Sequence, residues 1–144
     1  MLTGRLQRSE RGSVLLLVPA CVLIMLVLAS IAVDMAVVHL RQRQALDVAA
    51  AAANDAATAG FDPAALRSGA FEVSPAAARQ VANRTIAASQ LAPHVVGAPR
   101  VVVDGDTVEV SVTLRADYLF TGAMPGTPDD TTVTATASAT AMEP

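Results

Sequence analysis

Hydrophobic residues are unevenly distributed along this chain, and the first block is apolar without interruption. Residues 14–33 contain no charged side chain, and Asp34 ends the run. About twenty helical residues rise about 30 Å, the thickness of the hydrocarbon core of a bilayer. The pattern predicts a transmembrane helix over residues 14–33, preceded by a basic leader over residues 1–13. Pro19 is expected in the first turn or two of this helix, where its missing N–H costs little.

Three other interpretations of the apolar segment stay open. Ser30-Ile31-Ala32 has the small residues of a signal-peptidase site, so the segment could be a cleaved secretory signal. The run Val18-Pro19-Ala20-Cys21 resembles a lipoprotein box, although proline suits that position poorly. The segment could also be the core helix of a soluble domain, but the arginines that flank it argue against burial.

The distribution of arginine predicts the orientation of this segment. Arg5, Arg8 and Arg11 precede the apolar run, and the positive-inside rule places such a leader in the cytoplasm. Arg41 and Arg43 weaken the bias, but they lie further from the membrane edge than Arg11. We therefore expect a single-pass protein of the cytoplasmic membrane, with its N-terminus inside and its C-terminal domain outside.

A helical pattern continues beyond Asp34 over residues 34–60. Apolar and small residues recur at steps of three and four, and Gly60 ends the pattern. Two interpretations stay open: the stripe packs on the protein's own domain, or it binds helices of other subunits. Its heptad-like seam, the candidate helix–helix interface, consists of Met35, Val38, Gln42, Ala45, Ala49 and Ala52.

Residues 61–144 form the predicted extracytoplasmic domain. The stretch from Phe61 to Val73 reads as a loop, with one short turn over residues 63–66. Ser74 and Pro75 are a helix start, and the second helix is expected to end near Leu91. Its predicted apolar stripe comprises Ala78, Val81, Ala82, Thr85 and Ala88.

Three segments after this helix alternate between apolar and polar residues, as strands of a sheet that is wet on one face do. They are Arg100–Val103, Thr107–Ala116 and Thr131–Met142. The turn Asp104-Gly105-Asp106 joins the first two as a hairpin. The predicted fold is α+β and pilin-like: a long transmembrane helix continues into a small domain, in which a second helix lies on a three-stranded antiparallel sheet.

The connection between the last two strands, Tyr118 to Asp130, is long for a small domain. Loops of this length often carry function, so it is a candidate partner-binding loop. The alternative is that its apolar residues tuck under the edge of the sheet. The residues concerned are Tyr118, Leu119, Phe120 and Met124.

Composition and charge exclude several classes of partner. The chain is 53% hydrophobic but only 3% aromatic, so it offers no aromatic stacking platform. Its formal charge is +3 up to Gln44 and −6 from Ala45 onward. Because a phosphate backbone would be repelled by the acidic part, we expect no nucleic-acid binding.

Residue types that carry chemistry are sparse. His39 and His94 are far apart in the sequence, and Cys21 is the single cysteine, so no disulfide can form within the chain. The acids at positions 104, 106 and 109 lack the spacing of a calcium loop. We expect no catalytic, metal-binding or cofactor-binding residues, no small-molecule substrate and no enzymatic activity.

Several of these segments together resemble a known family, the TadE/TadG-like proteins of tight-adherence (Tad, Flp-type) pilus systems. The similarity is with the short TadG-related pilus-assembly proteins, and it covers about 50 N-terminal residues and the alternating strands of the tail. The segments that carry it are Glu10–Val14, the apolar span with Pro19, Ala32-Val33-Asp34, Arg41 and Arg43, Ala45–Ala59, Val108–Leu114 and Val133–Ala137.

The resemblance implies a minor pilin-like (pseudopilin) component of the cell envelope that contacts other Tad pilus-assembly or pilin subunits. Gly12 and Ser13 stand where the family's prepilins are processed, which makes them the candidate processing site. The family has Glu five residues after that glycine, whereas this chain has Leu17. The departure favours an accessory subunit that stays anchored in the membrane.

Overall fold

A computed structural model of the protein describes residues 7–59, 67, 73–123 and 125–141, with the side chains of the first helix from Leu17 onward. The predicted α+β architecture is confirmed. The turn predicted over residues 63–66 lies outside the described residues. The last strand was predicted to end at Met142, which is also outside them, but it ends at Thr140, and Ala141 is no longer part of it. The elements are α1 (Gln7–Ala59), α2 (Pro75–Ala88), β1 (Arg100–Asp104), β2 (Thr107–Asp117) and β3 (Asp130–Thr140), with short 3₁₀ turns at Ala92–His94 and Thr121–Ala123.

Helix α1 is one continuous helix of 53 residues, about 80 Å long. It is the one helix in the described part of the chain that is long and apolar enough to cross a membrane. From Leu17 to Val33 nearly every side chain is exposed, so this stretch is not a core helix of the domain beside it. The helix begins at Gln7, so the prediction that Pro19 lies in the first turns is wrong. Pro19 lies in the helix interior, where it removes one backbone hydrogen bond.

Beyond Asp34, α1 becomes the central element of the domain. It packs against β2, β3 and α2, while α2 lies mainly on α1 and contacts the sheet chiefly at β1. Small side chains let the backbone of α1 come close to these elements, and so the long helix, more than the second one, covers the sheet. The residues that make this contact are fully buried: Ala45, Ala49, Ala52, Ala53 and Ala56.

The sheet is antiparallel in the order β1-β2-β3, as the sequence predicts. The β1–β2 hairpin pairs Asp104 with Thr107, and the two-residue loop starts at Gly105 with a φ of 61°, which glycine adopts at no steric cost. The inward face holds the largest fully buried side chains of the described residues. These are Val108, Val110, Val112 and Leu114, all on β2.

The outward face of β2 and β3 is a ladder of hydroxyl side chains. The oxygen–oxygen distances are 3.3 Å for Thr107 and Thr140, and 2.8 Å both for Ser111 with Thr136 and for Thr113 with Thr134. Cross-strand hydroxyl pairs of this kind stabilise the register of a sheet. The apolar residues on one face and the hydroxyls on the other therefore specify the same strand pairing.

Helix α2 begins as predicted but ends earlier. Ser74 caps it, since the amide of Ala77 donates to the Ser74 hydroxyl at 3.5 Å. The expected end near Leu91 is wrong: the helix stops at Ala88, because Ser89 is extended and its hydroxyl donates to the Ile86 carbonyl at 2.7 Å. The predicted stripe is also wrong at this end, where Ile86 is buried and Ala88 exposed.

Candidate functional site

The most constrained polar group in the described residues is Asp34, the acid that follows the apolar segment of α1. Its side chain is only 3% exposed, and it is the one buried charged residue of the described part. Its partners lie in the β2–β3 loop (residues 118–129), more than eighty positions along the chain. This arrangement is called the Asp34 clamp below, and it consists of Asp34, the backbone of Leu119, Phe120 and Thr121, and the hydroxyl of Thr121.

Four hydrogen bonds hold the carboxylate in the clamp. The amides of Leu119 and Phe120 donate to Oδ1 of Asp34 at 2.8 Å and 3.0 Å. The amide of Thr121 donates to Oδ2 at 2.7 Å, and the Thr121 hydroxyl donates to the same oxygen. Successive backbone N–H groups that point into one concavity bind an anion well. The loop therefore forms an anion-binding site that the Asp34 carboxylate occupies.

These bonds favour the charged form of Asp34. The hydrogen bond from the Thr121 hydroxyl is the largest cause, burial opposes it, and the backbone amides of Thr121, Phe120 and Leu119 add to the effect. Together they lower the pKa of Asp34 from its ordinary value of 3.8 to about 2. Asp34 is thus ionised at neutral pH, and its charge helps to hold the loop against the helix.

Replacing Asp34 by Asn is expected to lower the Tm of the domain at neutral pH. The carboxamide of the substituted side chain would bring two donors toward a ring of donors, so the clamp would lose its main acceptor. The folded-state pKa lies below the unfolded one. The stabilising effect is therefore fully present above about pH 4 and disappears as the pH falls through about 2. The measurement is the Tm of both proteins in mild detergent from neutral pH down to about pH 2.

The Tm difference between the wild-type protein and Asp34→Asn should therefore shrink as the pH falls. Asp47→Asn is the matched control, because Asp47 is an exposed acid on the same helix. Its Tm should follow that of the wild-type protein at every pH. A Tm difference for Asp34→Asn that does not change with pH would contradict the ionised clamp.

The candidate partner-binding loop, residues 118–129, is the segment whose backbone binds Asp34. Tyr118 is half-buried, and its amide donates to the carbonyl of Asp129 at 2.9 Å, which closes the base of the loop. Leu119 is 63% exposed and Phe120 is 49% exposed, so neither tucks fully under the sheet. Met124 lies outside the described residues.

The candidate helix–helix seam divides into two parts. Ala45, Ala49 and Ala52 are fully buried against the protein's own domain, which is one of the two predicted interpretations of the stripe. Val38 is half-buried and packs against the same core. Met35 is 67% exposed, and Gln42 is exposed too, so these two positions remain accessible to another subunit.

The remaining candidate residues are not brought together with the clamp. Gly12 and Ser13 lie in the first turns of α1, and they keep their status as a predicted processing site. Within the described residues, no three His, Cys, Asp or Glu side chains come together as a metal site would require. His39 is part of α1, and His94 lies in the 3₁₀ turn after α2.

Sequence reasoning missed the role of Asp34, which was interpreted only as the end of the apolar run. One local signal was available. Apolar residues resume directly after Asp34 and continue to Leu40, interrupted only by His39, so a lone acid interrupts an otherwise apolar surface. A charge in such a place needs a partner, although the sequence does not say which one. Comparison of the chain with protein-family models, curated proteins and solved structures found no match.

Proposed function

We propose that this protein is a membrane-anchored minor pilin-like component of Tad/Flp-type pilus assembly. It is anchored in the cytoplasmic membrane by one pass, with its N-terminus inside and its domain outside. Its function is structural: it contacts other Tad pilus-assembly or pilin subunits through its helix and carries out no catalysis.

The observation that carries the proposal is that α1 belongs both to the apolar segment and to the core of the domain. One uninterrupted helix supplies an exposed apolar segment of membrane-spanning length and then the buried Ala-rich spine of the domain. Anchor and domain are joined without a linker, which is the arrangement expected of a pilin-like subunit. The resemblance of the N-terminal residues to TadE/TadG-like proteins supports the same assignment.

The surface available for helix-mediated contact is the exposed part of the seam. Met35 and Gln42 lie two turns apart on nearly the same side of α1, and both are exposed. Met35 lies two residues past the apolar segment and Gln42 about 13 Å past it, where neighbouring subunits anchored in the same membrane would meet. Leu40 is a matched reference, because it is 56% exposed at the same level but on the other side of the helix.

Photo-crosslinking in cells tests these contacts. We expect a photoreactive amino acid at Met35 or Gln42 to form adducts that mass spectrometry identifies as Tad pilin or assembly-platform subunits. The same group at Leu40 should form several-fold fewer such adducts. Equal yields at all three positions, or adducts without any Tad subunit, would contradict the proposal.

The alternative is an independent extracytoplasmic binding module, either membrane-anchored or released into the medium. The exposed Leu119 and Phe120 favour it, because they form a small apolar patch on a held loop. Neighbouring genes for a secretion ATPase and a membrane platform favour the pilus role. The N-terminal sequence of the mature protein distinguishes the anchored, the processed and the released forms. An uncut chain indicates an anchor, a start at Ser13 indicates pilin-type processing, and a start at Val33 indicates release.

A further inference from the structure

We propose that Leu119 and Phe120 insert into the headgroup layer of the bilayer, so that the β2–β3 loop is a second membrane contact beside α1. The apolar patch that Leu119 and Phe120 form thus contacts lipid of the leaflet on the same side as the domain. The inference rests on the proposed membrane anchoring through α1, and the experiment below separates the failure of one from the failure of the other.

The first argument is the height of the loop above the membrane. Asp34 is the residue directly after the apolar segment, and its carboxylate lies within 3.0 Å of the amides of Leu119, Phe120 and Thr121. Side chains of a helix point toward its N-terminus, so this carboxylate is displaced toward the membrane from its own Cα. The headgroup layer is about 5–8 Å thick on each side of the hydrocarbon core. The clamp therefore holds the loop within that layer.

The second argument is the apolar character of the protein surface at this level. Met35, directly after Asp34 on α1, is 67% exposed. Leu119 and Phe120 are exposed at the same level, because the clamp joins their backbone to Asp34. Phe and Leu side chains at the edge of a membrane span gain from burying apolar surface at the boundary between headgroups and acyl chains.

The charges around the loop argue for apolar insertion at the interface and against recognition of an anionic headgroup. Asp117 and Asp129 flank the loop and are exposed, and Asp130 is bound to Arg115 at 3.0 Å. An acidic rim is repelled by a negatively charged membrane surface. We therefore expect insertion into vesicles of zwitterionic phosphatidylcholine, with no gain when anionic lipid is added.

Tryptophan substitution tests the insertion directly, because the chain contains no tryptophan of its own. The full chain carrying Phe120→Trp is reconstituted into phosphatidylcholine vesicles, with lipids brominated either near the headgroup or near the middle of the bilayer. We expect quenching of about twofold by the shallow bromine and clearly less by the deep one, as for an aromatic residue at the interface. Leu119→Trp should give the same pattern and provides an independent measurement if one substitution disturbs the loop.

Two further variants are the controls. Ile24→Trp places the probe in the middle of the apolar segment and should be quenched most by the deep bromine. Val102→Trp places it at an exposed apolar position of β1, at the opposite end of the sheet from the clamp. It should be quenched by aqueous iodide and not by either lipid.

Each contrary outcome is distinct. If Ile24→Trp is not quenched by brominated lipid, the membrane anchor fails and the loop insertion fails with it. If Ile24→Trp is quenched but the tryptophans at 119 and 120 are quenched by iodide, the anchor stands and the inserted loop is overturned. If the loop tryptophans are shielded from both quenchers, a protein surface covers the patch and the lipid contact is overturned.

Discussion

Replacing Leu114 by Ala should remove a large part of the stability of the domain that the second half of α1, α2 and the sheet form. Leu114 is the largest fully buried side chain of the described residues, and it lies on the central strand β2 beneath α1. Shortening a buried leucine costs about 2–5 kcal/mol, whereas a whole domain is stable by about 5–15 kcal/mol. A core built mostly from Ala and Val has few other large side chains to compensate.

The free energy of unfolding of this variant can be measured by urea titration of the full chain in mild detergent. Tyr118 is the single tyrosine and no tryptophan is present, so its fluorescence reports on the domain. Leu119→Ala is the matched control: the same atoms are removed, but from a side chain that is mostly exposed, and the change should stay within about 0.5 kcal/mol. Equal losses for the two variants would show that Leu114 is not part of a packed core.

Replacing Ala49 by Leu is expected to destabilise the same domain by about 1–3 kcal/mol, because a larger side chain must be forced into a filled contact. Ala49 is fully buried, and the row of alanines to which it belongs lets α1 lie close to the sheet and α2. A leucine there would push the helix away from its neighbours. The measurement is again the urea titration followed by the fluorescence of Tyr118.

Ala51→Leu is the control for helix propensity, since Ala51 lies on the exposed side of the same turn of α1. Ala and Leu differ little in helix propensity, so this variant should match the wild-type protein within about 0.5 kcal/mol. A fully stable Ala49→Leu protein that no longer formed adducts with other subunits would contradict the internal packing. Ala49 would then belong to an interface between proteins.

The sheet could be predicted because its information is local. In β2 the alternation of Val108, Val110 and Leu114 with hydroxyl and charged residues determines both the strand and its buried face. The observed ends of β1 and β2 differ from the prediction by a single residue. The start of α2 was also predicted, since Ser74 and Pro75 form a cap within two residues.

The alanine stripe and the Asp34 clamp could not be predicted in the same way. Small residues at helical spacing suit contact with the chain's own sheet and contact with another helix equally well, so Ala45 and Ala49 left the choice open until the sheet was located. The partners of Asp34 lie 85 to 87 positions away. Such a contact depends on where β2 ends in space, and no periodicity along the chain encodes that.

The uninterrupted helix has a mechanical consequence. From Asp34 to Ala59, α1 rises about 39 Å above the apolar segment without a hinge in the described residues. If the anchor tilts by about 20°, as spanning helices commonly do, the far end of this lever arm moves sideways by about 13 Å. With the proposed anchor in the bilayer, a force applied to the domain would be carried along the helix into the membrane. The Asp34 clamp would then lie at the pivot, and a change in the tilt of the anchor would change the direction in which the domain points.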